Sequence, residues 1–257
     1  MKKSLFAVLL AGIALSTSSF AAEKVRLGVE PGYAPFEYKK PDGTLAGFDI
    51  DLGKEICQRI QADCTWVQSD FDGLIPALKA KKIDAILSSM SITPARQKQI
   101  AFSDKLYGTP ARLVTANNVD LKPTAESLQG KRVGVFQGTT AETYAKEQWL
   151  KKGVDVVTYQ SQDLIYADLV NGRLDAAFQD AVAANDGFLK RPVGKSFHFS
   201  GPEVNDEQYF GVGAGIGFRK EDGALKDKVN KALADMLADG TYDKIAKQYF
   251  DFDIYGK

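Results

Sequence analysis

The residues with the most chemical content fall in a few short segments. Ser88-Ser89-Met90-Ser91-Ile92-Thr93 runs into Pro94-Ala95-Arg96, so hydroxyls and free backbone N–H groups stand just before a guanidinium. Arginine offers a carboxylate two parallel hydrogen bonds and keeps its charge at any relevant pH. A helix cap followed by a surface arginine accounts for the same residues equally well. Gly138-Thr139-Thr140 lies where a strand-like run gives way to a helix-like one. Unpaired N–H groups at a helix start attract anions, although Thr also serves there as a plain N-cap. Asp180 follows the apolar run Ala176-Ala177-Phe178 and Gln179, and a carboxylate at a strand end suits an ammonium group. As an isolated residue it reads equally as a loop acid. Tyr33, in Gly32-Tyr33-Ala34-Pro35-Phe36, and Phe71 lie in loops after strands. Two such rings can clamp an aliphatic stem or a cation, or can simply plug a core. Glu30, just before the Tyr33 turn, places a second negative charge beside them.

These residues suit recognition more than catalysis. The single histidine, His198, stands between Phe197 and Phe199 in a strand-like context, which removes a Ser-His-Asp triad and the usual zinc ligands. No phosphate-loop, nucleophile-elbow, zincin or dinucleotide fingerprint is present. No metal and no cofactor is expected.

The elements that must position these side chains alternate along the chain. Val25 to Val29, Thr65 to Gln68 and Ala85 to Leu87 read as strands, with helix-like runs Asp49 to Ile60 and Leu74 to Lys82 between them. Near Lys131 the pattern restarts, with Arg132 to Phe136 as strand and Ala141 to Leu150 as helix. Such alternation predicts α/β layers with mostly parallel strands. Asp72 to Ser89 and Asp163 to Asp180 have equal length and matching apolar positions, Leu78 with Leu169 and Ile83 with Leu174, and each carries Asp-Ala at the same place. Ser89 and Asp180 therefore fall together, just past a strand's carboxyl end, where open α/β sheets bind ligands. The chain is expected to cross into a second lobe near residue 111 and return near 205 to 211. Gly211 to Phe218 reads as a Gly-rich strand, and the tail as two helices, Leu225 to Leu237 and Tyr242 to Tyr249, split at Asp239-Gly240.

Composition sets the outer bounds. The 257 residues are 44% hydrophobic, with 33 basic and 33 acidic side chains, so real cores are affordable and binding by phosphate neutralisation is not expected. Nucleic acid is an unfavoured partner. Residues 1–22 run from Lys2-Lys3 through an apolar stretch to Ser19-Phe20-Ala21-Ala22, the order of a cleaved secretory signal peptide. The apolar stretch is shorter than the ~20 residues that cross a bilayer. Export permits a disulfide, and Cys57 and Cys64, six residues apart, are expected to form a local staple rather than a redox pair.

Together, the Ser-Ser-x-Ser-Ile-Thr cluster with Arg96, the Gly-Thr-Thr turn and Asp180 give a sequence that closely resembles the polar amino-acid-binding proteins of bacterial ABC importers (solute-binding protein family 3). The nearest members are the lysine/arginine/ornithine- and histidine-binding periplasmic proteins. YAPF at 33 to 36, GFDIDL at 47 to 52, the run from Ser69 to Ile86, and the tail from Asp239 to Gly256 carry the likeness. The resemblance implies the two-lobed type II periplasmic-binding-protein fold: 23–110 and 205–257 as lobe 1, 111–204 as lobe 2, and a two-strand hinge between α/β sandwiches. It implies a periplasmic monomer that closes on a free L-amino acid and delivers it to an inner-membrane ABC permease complex. By position, Arg96 and the N–H groups of Ser91 and Thr140 would hold the α-carboxylate, with Thr139 beside them. Asp180, Ser91 and the Ser89 carbonyl would hold the α-ammonium. Tyr33, Phe71 and Phe136 would enclose the side chain, with Glu30 and Ser88 near its distal end. Against close relatives, Glu30 replaces Asp, Phe136 replaces Leu and Ala141 replaces Gln, all on the side-chain half of the pocket.

A desolvated zwitterion needs a charged partner at each pole, and Arg96 and Asp180 supply one of each. Glu30 has no evident purpose against an apolar side chain, which points to arginine, ornithine or lysine, with histidine open. Two other classes compete: an exported cyclohexadienyl dehydratase-like enzyme on the same scaffold, with Glu30 or Asp180 as its acid or base, and an adhesin with no compact site.

Overall fold

The structure, a computed structural model, describes residues 22–256; the expected signal peptide lies outside the described residues but for Ala22. The chain opens with strand β1 (Glu23–Val29), followed by a small antiparallel sheet of β2 (Gly32–Tyr33), β3 (Glu37–Lys39) and β4 (Leu45–Ala46). Helix α1 (Phe48–Arg59), β5 (Ala62–Gln68), α2 (Leu74–Lys79), β6 (Ala85–Ile86), α3 (Pro94–Gln97) and β7 (Ala101–Phe102) complete the first stretch. The second runs β8 (Ala111–Ala116), α4 (Ala125–Leu128), β9 (Arg132–Phe136), α5 (Thr140–Gln148), β10 (Asp155–Tyr159), α6 (Gln162–Val170), β11 (Ala176–Asp180), α7 (Ala181–Ala184) and β12 (Phe197–Val204). The tail holds α8 (Glu207–Phe210), β13 (Gly217–Phe218), α9 (Gly223–Ala238) and α10 (Thr241–Ala246).

Two five-stranded sheets organise these elements, in the orders β5-β1-β6-β13-β7 and β10-β9-β11-β8-β12. The α/β class stands, and each sheet is mostly parallel as expected, with four strands running one way and one strand against them. Strand β1 runs parallel to β5 and β6, whereas β13 is antiparallel to β6 and β7. Likewise β9 is parallel to β10 and β11, while β8 is antiparallel to β11 and β12. The reason is connectivity. Strands β1, β5 and β6, and likewise β9, β10 and β11, are reached through helical crossovers that bring each back parallel to the last, and each sheet also takes in one opposed strand by another route: β13 from the return segment, β8 from the crossing.

The two halves repeat one another in detail. Arg26 of β1 makes a 2.8 Å ion pair to Asp84, and Arg132 of β9 pairs with Asp175 at 3.4 Å. A Cβ on Gly28 would stand 2.4 Å from Ile83 Cδ1, and one on Gly134 2.5 Å from Leu174 Cδ1. In both sheets the second strand gives up a side chain so that the residue ahead of its neighbour, β6 or β11, can lie against it.

The Gly-rich stretch forms less strand than its composition suggests. Only Gly217–Phe218 is ladder, preceded by single bridges from Ala214 to Ser91 and Tyr107. Helix α1 turns Phe48, Leu52 and Ile56 into the core that the first sheet shares with α9 and α10. Cys57 and Cys64 form the expected disulfide, tying α1 to β5. Closing so short a loop is worth about 2.5 kcal/mol by chain entropy. The Cys57→Ser/Cys64→Ser variant should lose about that much in a denaturant titration. Its ligand affinity, measured where both forms are folded, should not change, because neither cysteine lines the cleft described next.

Candidate functional site

A cavity of about 390 Å³ lies between the two sheets. From the first half, Glu30, Tyr33, Phe71, Ser88, Ser89 and Ser91 line it. Facing them from the second are Phe136, Thr139, Thr140 and Asp180. Phe136 reaches across the cleft, its ring centre 6.2 Å from that of Tyr33 and 5.9 Å from that of Phe71. The three rings thus form one aromatic wall with members from both sheets.

Arg96 is the sequence-proposed residue that does not line the cavity. It stands beside the lining, 5.5 Å from the Phe71 ring centre, on a helical turn capped by Thr93, whose Oγ1 accepts from Arg96 N at 3.2 Å. Its Nη1 donates to the Ser91 carbonyl at 3.1 Å and its Nη2 to the Gly138 carbonyl of the opposite half at 3.0 Å. Both partners are neutral, and burial alone lowers the pKa of this guanidinium to about 10. A half-buried cation with no anion paired to it among the described residues is poised to receive one.

Asp180 ends β11 and caps α7, with Oδ1 accepting from Ala183 N at 2.9 Å and Oδ2 from the Thr109 hydroxyl. Burial is the largest influence on it and raises its pKa to about 6, against the pull of those bonds. Glu30 follows β1 and is 8% exposed, and its Oε2 has no hydrogen-bond partner. Its own N–H donates to Ser88 Oγ at 3.0 Å. Burial lifts its pKa to about 7, Asp70 and Asp163 push in the same direction, and only a Gly32 N–H bond and Lys39 oppose them. This end of the cleft is therefore negative from both sides.

The Gly-Thr-Thr turn is a capping box. Thr139 Oγ1 accepts from Glu142 N at 3.3 Å, and Glu142 Oε2 accepts from Gly138 N at 2.7 Å. Thr140 and Ala141 begin α5, where N–H groups have no intrahelical partner, and both line the cavity. Gly138, at φ +77°, would carry a Cβ 2.8 Å from that of Asp72, and Gln137 donates its amide to the same Asp72. The two halves are thus in contact at the rim, which is a closed cleft.

Sequence reasoning missed several lining residues. Glu37, Tyr107, Thr109 and Gln162 all face the cavity. Gln162 is 3% exposed with neither amide atom bonded, and the Gln179 amide nitrogen is also unpartnered. The signal for Gln162 was its place: it opens α6 directly after the Ser161 cap. That for Glu37 was a carboxylate inside an apolar run, Phe36-Glu37-Tyr38. His198 lies in β12 opposite Thr115, away from the lining.

The family model for bacterial extracellular solute-binding proteins, family 3, matches residues 25–252. The histidine-binding periplasmic protein of Escherichia coli K12 is 59% identical over 259 residues, covering 100% of both chains. The lysine/arginine/ornithine-binding periplasmic protein of the same strain is also 59% identical over 259 residues, again covering 100% of both. Among solved structures, an ancestral arginine-binding protein bound to arginine superposes with a TM-score of 0.82 at 36% identity, covering 88% of this chain and 98% of that one.

Proposed function

The chain belongs to the bacterial extracellular solute-binding proteins, family 3, and on that footing we propose that it captures a cationic amino acid in the periplasm for an ABC importer. The observation that carries this reading is the charge inventory of the cleft. Among the described residues the half-buried Arg96 guanidinium has no anion paired with it, and the half-buried Asp180 and buried Glu30 carboxylates have no cation paired with them. The complementary solute has one carboxylate and two cationic groups, which is a basic amino acid.

In this reading the α-carboxylate takes up donors of Arg96 that the two carbonyls leave free, together with the N–H groups of Ser91 and Thr140 and the turn at Thr139. Asp180, Ser91 and the Ser89 carbonyl hold the α-ammonium. The side chain passes between Tyr33, Phe71 and Phe136 towards Glu30 and Ser88. Lobe 1 is 23–110 with 205–257 and lobe 2 is 111–204, a division supported by the strand membership of the two sheets. Since Arg96 and Asp180 belong to different sheets' halves, a solute gripping both favours closure. The products of residues 1–22 cleavage and docking to a membrane permease complete the role, with the receptor acting as a monomer.

Relatives named for histidine and for lysine, arginine and ornithine at 59% identity favour this reading over a dehydratase on the same scaffold. Calorimetric titration with the twenty common amino acids plus ornithine tests it. Arginine, ornithine, lysine or histidine should bind at about −8.2 kcal/mol or better, the micromolar range, while leucine and glutamate should not. Binding confined to neutral or acidic amino acids, or turnover of a cyclohexadienyl carboxylate, overturns it.

A further inference from the structure

Beneath the Ser88-Ser89 loop lies a pair of carboxylates that contact with a ligand does not explain. Glu37 is 1% exposed and Asp49 is 0% exposed. Ser88 Oγ donates to Glu37 Oε1 at 3.0 Å, and Ser89 Oγ lies 3.1 Å from Glu37 Oε2. Ser89 N donates to Asp49 Oδ2 at 2.8 Å, and the Tyr107 hydroxyl donates to Asp49 Oδ1 at 2.7 Å. Ser89 Oγ and the Tyr107 oxygen are themselves 2.9 Å apart, which links Glu37 to Asp49 through Ser89 and Tyr107.

Counting protons in this ring identifies its charge state. The Tyr107 proton is committed to Asp49, and the Ser88 proton to Glu37. The single Ser89 proton can serve Glu37 or Tyr107, but not both. The Ser89–Glu37, Ser89–Tyr107 and Tyr107–Asp49 contacts then share only two hydroxyl protons if both carboxyls are ionised. Asp49 already accepts on both oxygens, from an N–H and from an O–H, so the missing proton belongs on Glu37. With the proton on Oε2, Ser89 is free to donate to Tyr107 and every contact is satisfied.

We propose that Glu37 and Asp49 hold one proton between them, carried by Glu37, and that this pair is the positioning device for Ser88 and Ser89. The role assigned to those serines rests on the ligand reading above, but the proton does not. Ser89 sits at φ +48°, a left-handed conformation that a residue with a side chain adopts only when its surroundings hold it there. Its N–H and Oγ are held by the pair, and its carbonyl is thereby aimed. Through Ser88 the same pair reaches the backbone of Glu30. Burial raises both carboxyls above their usual range, and the Asp49 charge pushes Glu37 further up. The remaining groups facing them are Glu30, Tyr33, Tyr107 and Tyr242, and among the described residues no cation is paired with either carboxyl.

The two isosteric amides separate this assignment from a general packing role. Gln at position 37 reproduces a protonated Glu: its oxygen accepts from Ser88 and its NH₂ donates to Ser89. Asn at position 49 places an NH₂ against an N–H or an O–H that needs an acceptor. With arginine, ornithine, lysine and histidine as probes at neutral pH, Glu37→Ala should weaken binding by at least about tenfold, and Glu37→Gln should recover it to within about threefold of wild type. Asp49→Asn should remain weakened by about tenfold or more. Because Asp49→Asn risks misfolding, infrared spectra of wild type and Glu37→Gln supply an independent readout. The carbonyl stretch of a protonated carboxylic acid should be present in the wild type at neutral pH and absent from Glu37→Gln. Equal losses in the two amide variants, or no such band, overturn the proposal. If no probe binds the wild type, the ligand reading fails, while the infrared result still decides where the proton resides.

Discussion

Replacing Arg96 by Met or Asp180 by Asn should weaken binding of every amino acid the protein takes by about 30-fold to 1,000-fold or more, because truncating one partner of a desolvated charge pair costs ~2–5 kcal/mol. Both effects should be uniform across ligands, since both groups face the part that all amino acids share. The variants are chosen to leave the fold in place. Met keeps an apolar stem beside Phe71, where the guanidinium now lies. Asn at position 180 keeps an oxygen for the Ala183 N–H, so the cap on α7 survives. Thr109 accepts a hydrogen bond as readily as it donates one, so it can face the new NH₂. Calorimetry on folded protein at constant pH is the measurement. Affinities within threefold of wild type for either variant would remove that residue from the site.

Glu30 should make binding of basic amino acids strongly pH-dependent. Without ligand its pKa is about 7, so the carboxyl is half protonated near neutrality. A bound guanidinium or ammonium holds it ionised, and binding at lower pH must first expel a proton. From about pH 7.5 to about pH 5.5 this linkage alone lowers arginine affinity roughly 25-fold. Asp180, with a pKa of about 6, adds a smaller loss in the same direction. The unliganded protein behaves oppositely. A carboxyl raised from its ordinary 4.5 to about 7 binds its proton more tightly when folded. Its contribution to stability is therefore full below about 4.5 and lost as the pH rises through about 7. The increase in melting temperature caused by arginine should consequently be larger at pH ~7.5 than at pH ~5.5. Glu30→Gln should flatten most of the pH dependence and cost basic ligands at least about 30-fold at the upper pH. A variant that keeps the wild-type profile would show that Glu30 does not meet the ligand's cation.

The two cleft-lining carboxylates Asp180 and Glu30 and the buried pair Glu37 and Asp49 illustrate how far one-dimensional reading extends. Asp180 was visible because a strand pattern ended on it, and Ser89 because a matching segment ended at the same offset. Glu37 and Asp49 stand inside YAPFEY and GFDIDL, where each looks like one acid in an apolar run. Their partnership depends on β3, α1 and the loop after β6 converging, across 12 to 52 residues of chain. No local pattern encodes such a convergence. The course of Arg96 was equally hidden, because its Nη2 is bonded to the Gly138 carbonyl, which comes near only when the two halves meet.

What the amino-acid order determined alone is what short-range physics controls. Arg132 to Phe136 is β9 at the bounds its apolar pattern gives, and Asp239-Gly240 separates α9 from α10 because the glycine takes a left-handed turn at φ +79°. The repeat of helix, turn and strand was likewise present in the matched segments, whereas the Arg26–Asp84 and Arg132–Asp175 pairs, whose arginines lie outside those segments, appear only in the fold. Tertiary structure decided the rest: which strands enter each sheet from outside its local run, how short β13 is, and which polar groups end up buried without a partner. Desolvation is the reason. Whether Glu30, Asp180 or Arg96 is an ordinary surface charge or an unmet one depends on how much water the other half of the molecule excludes, and that quantity exists only once the chain has folded.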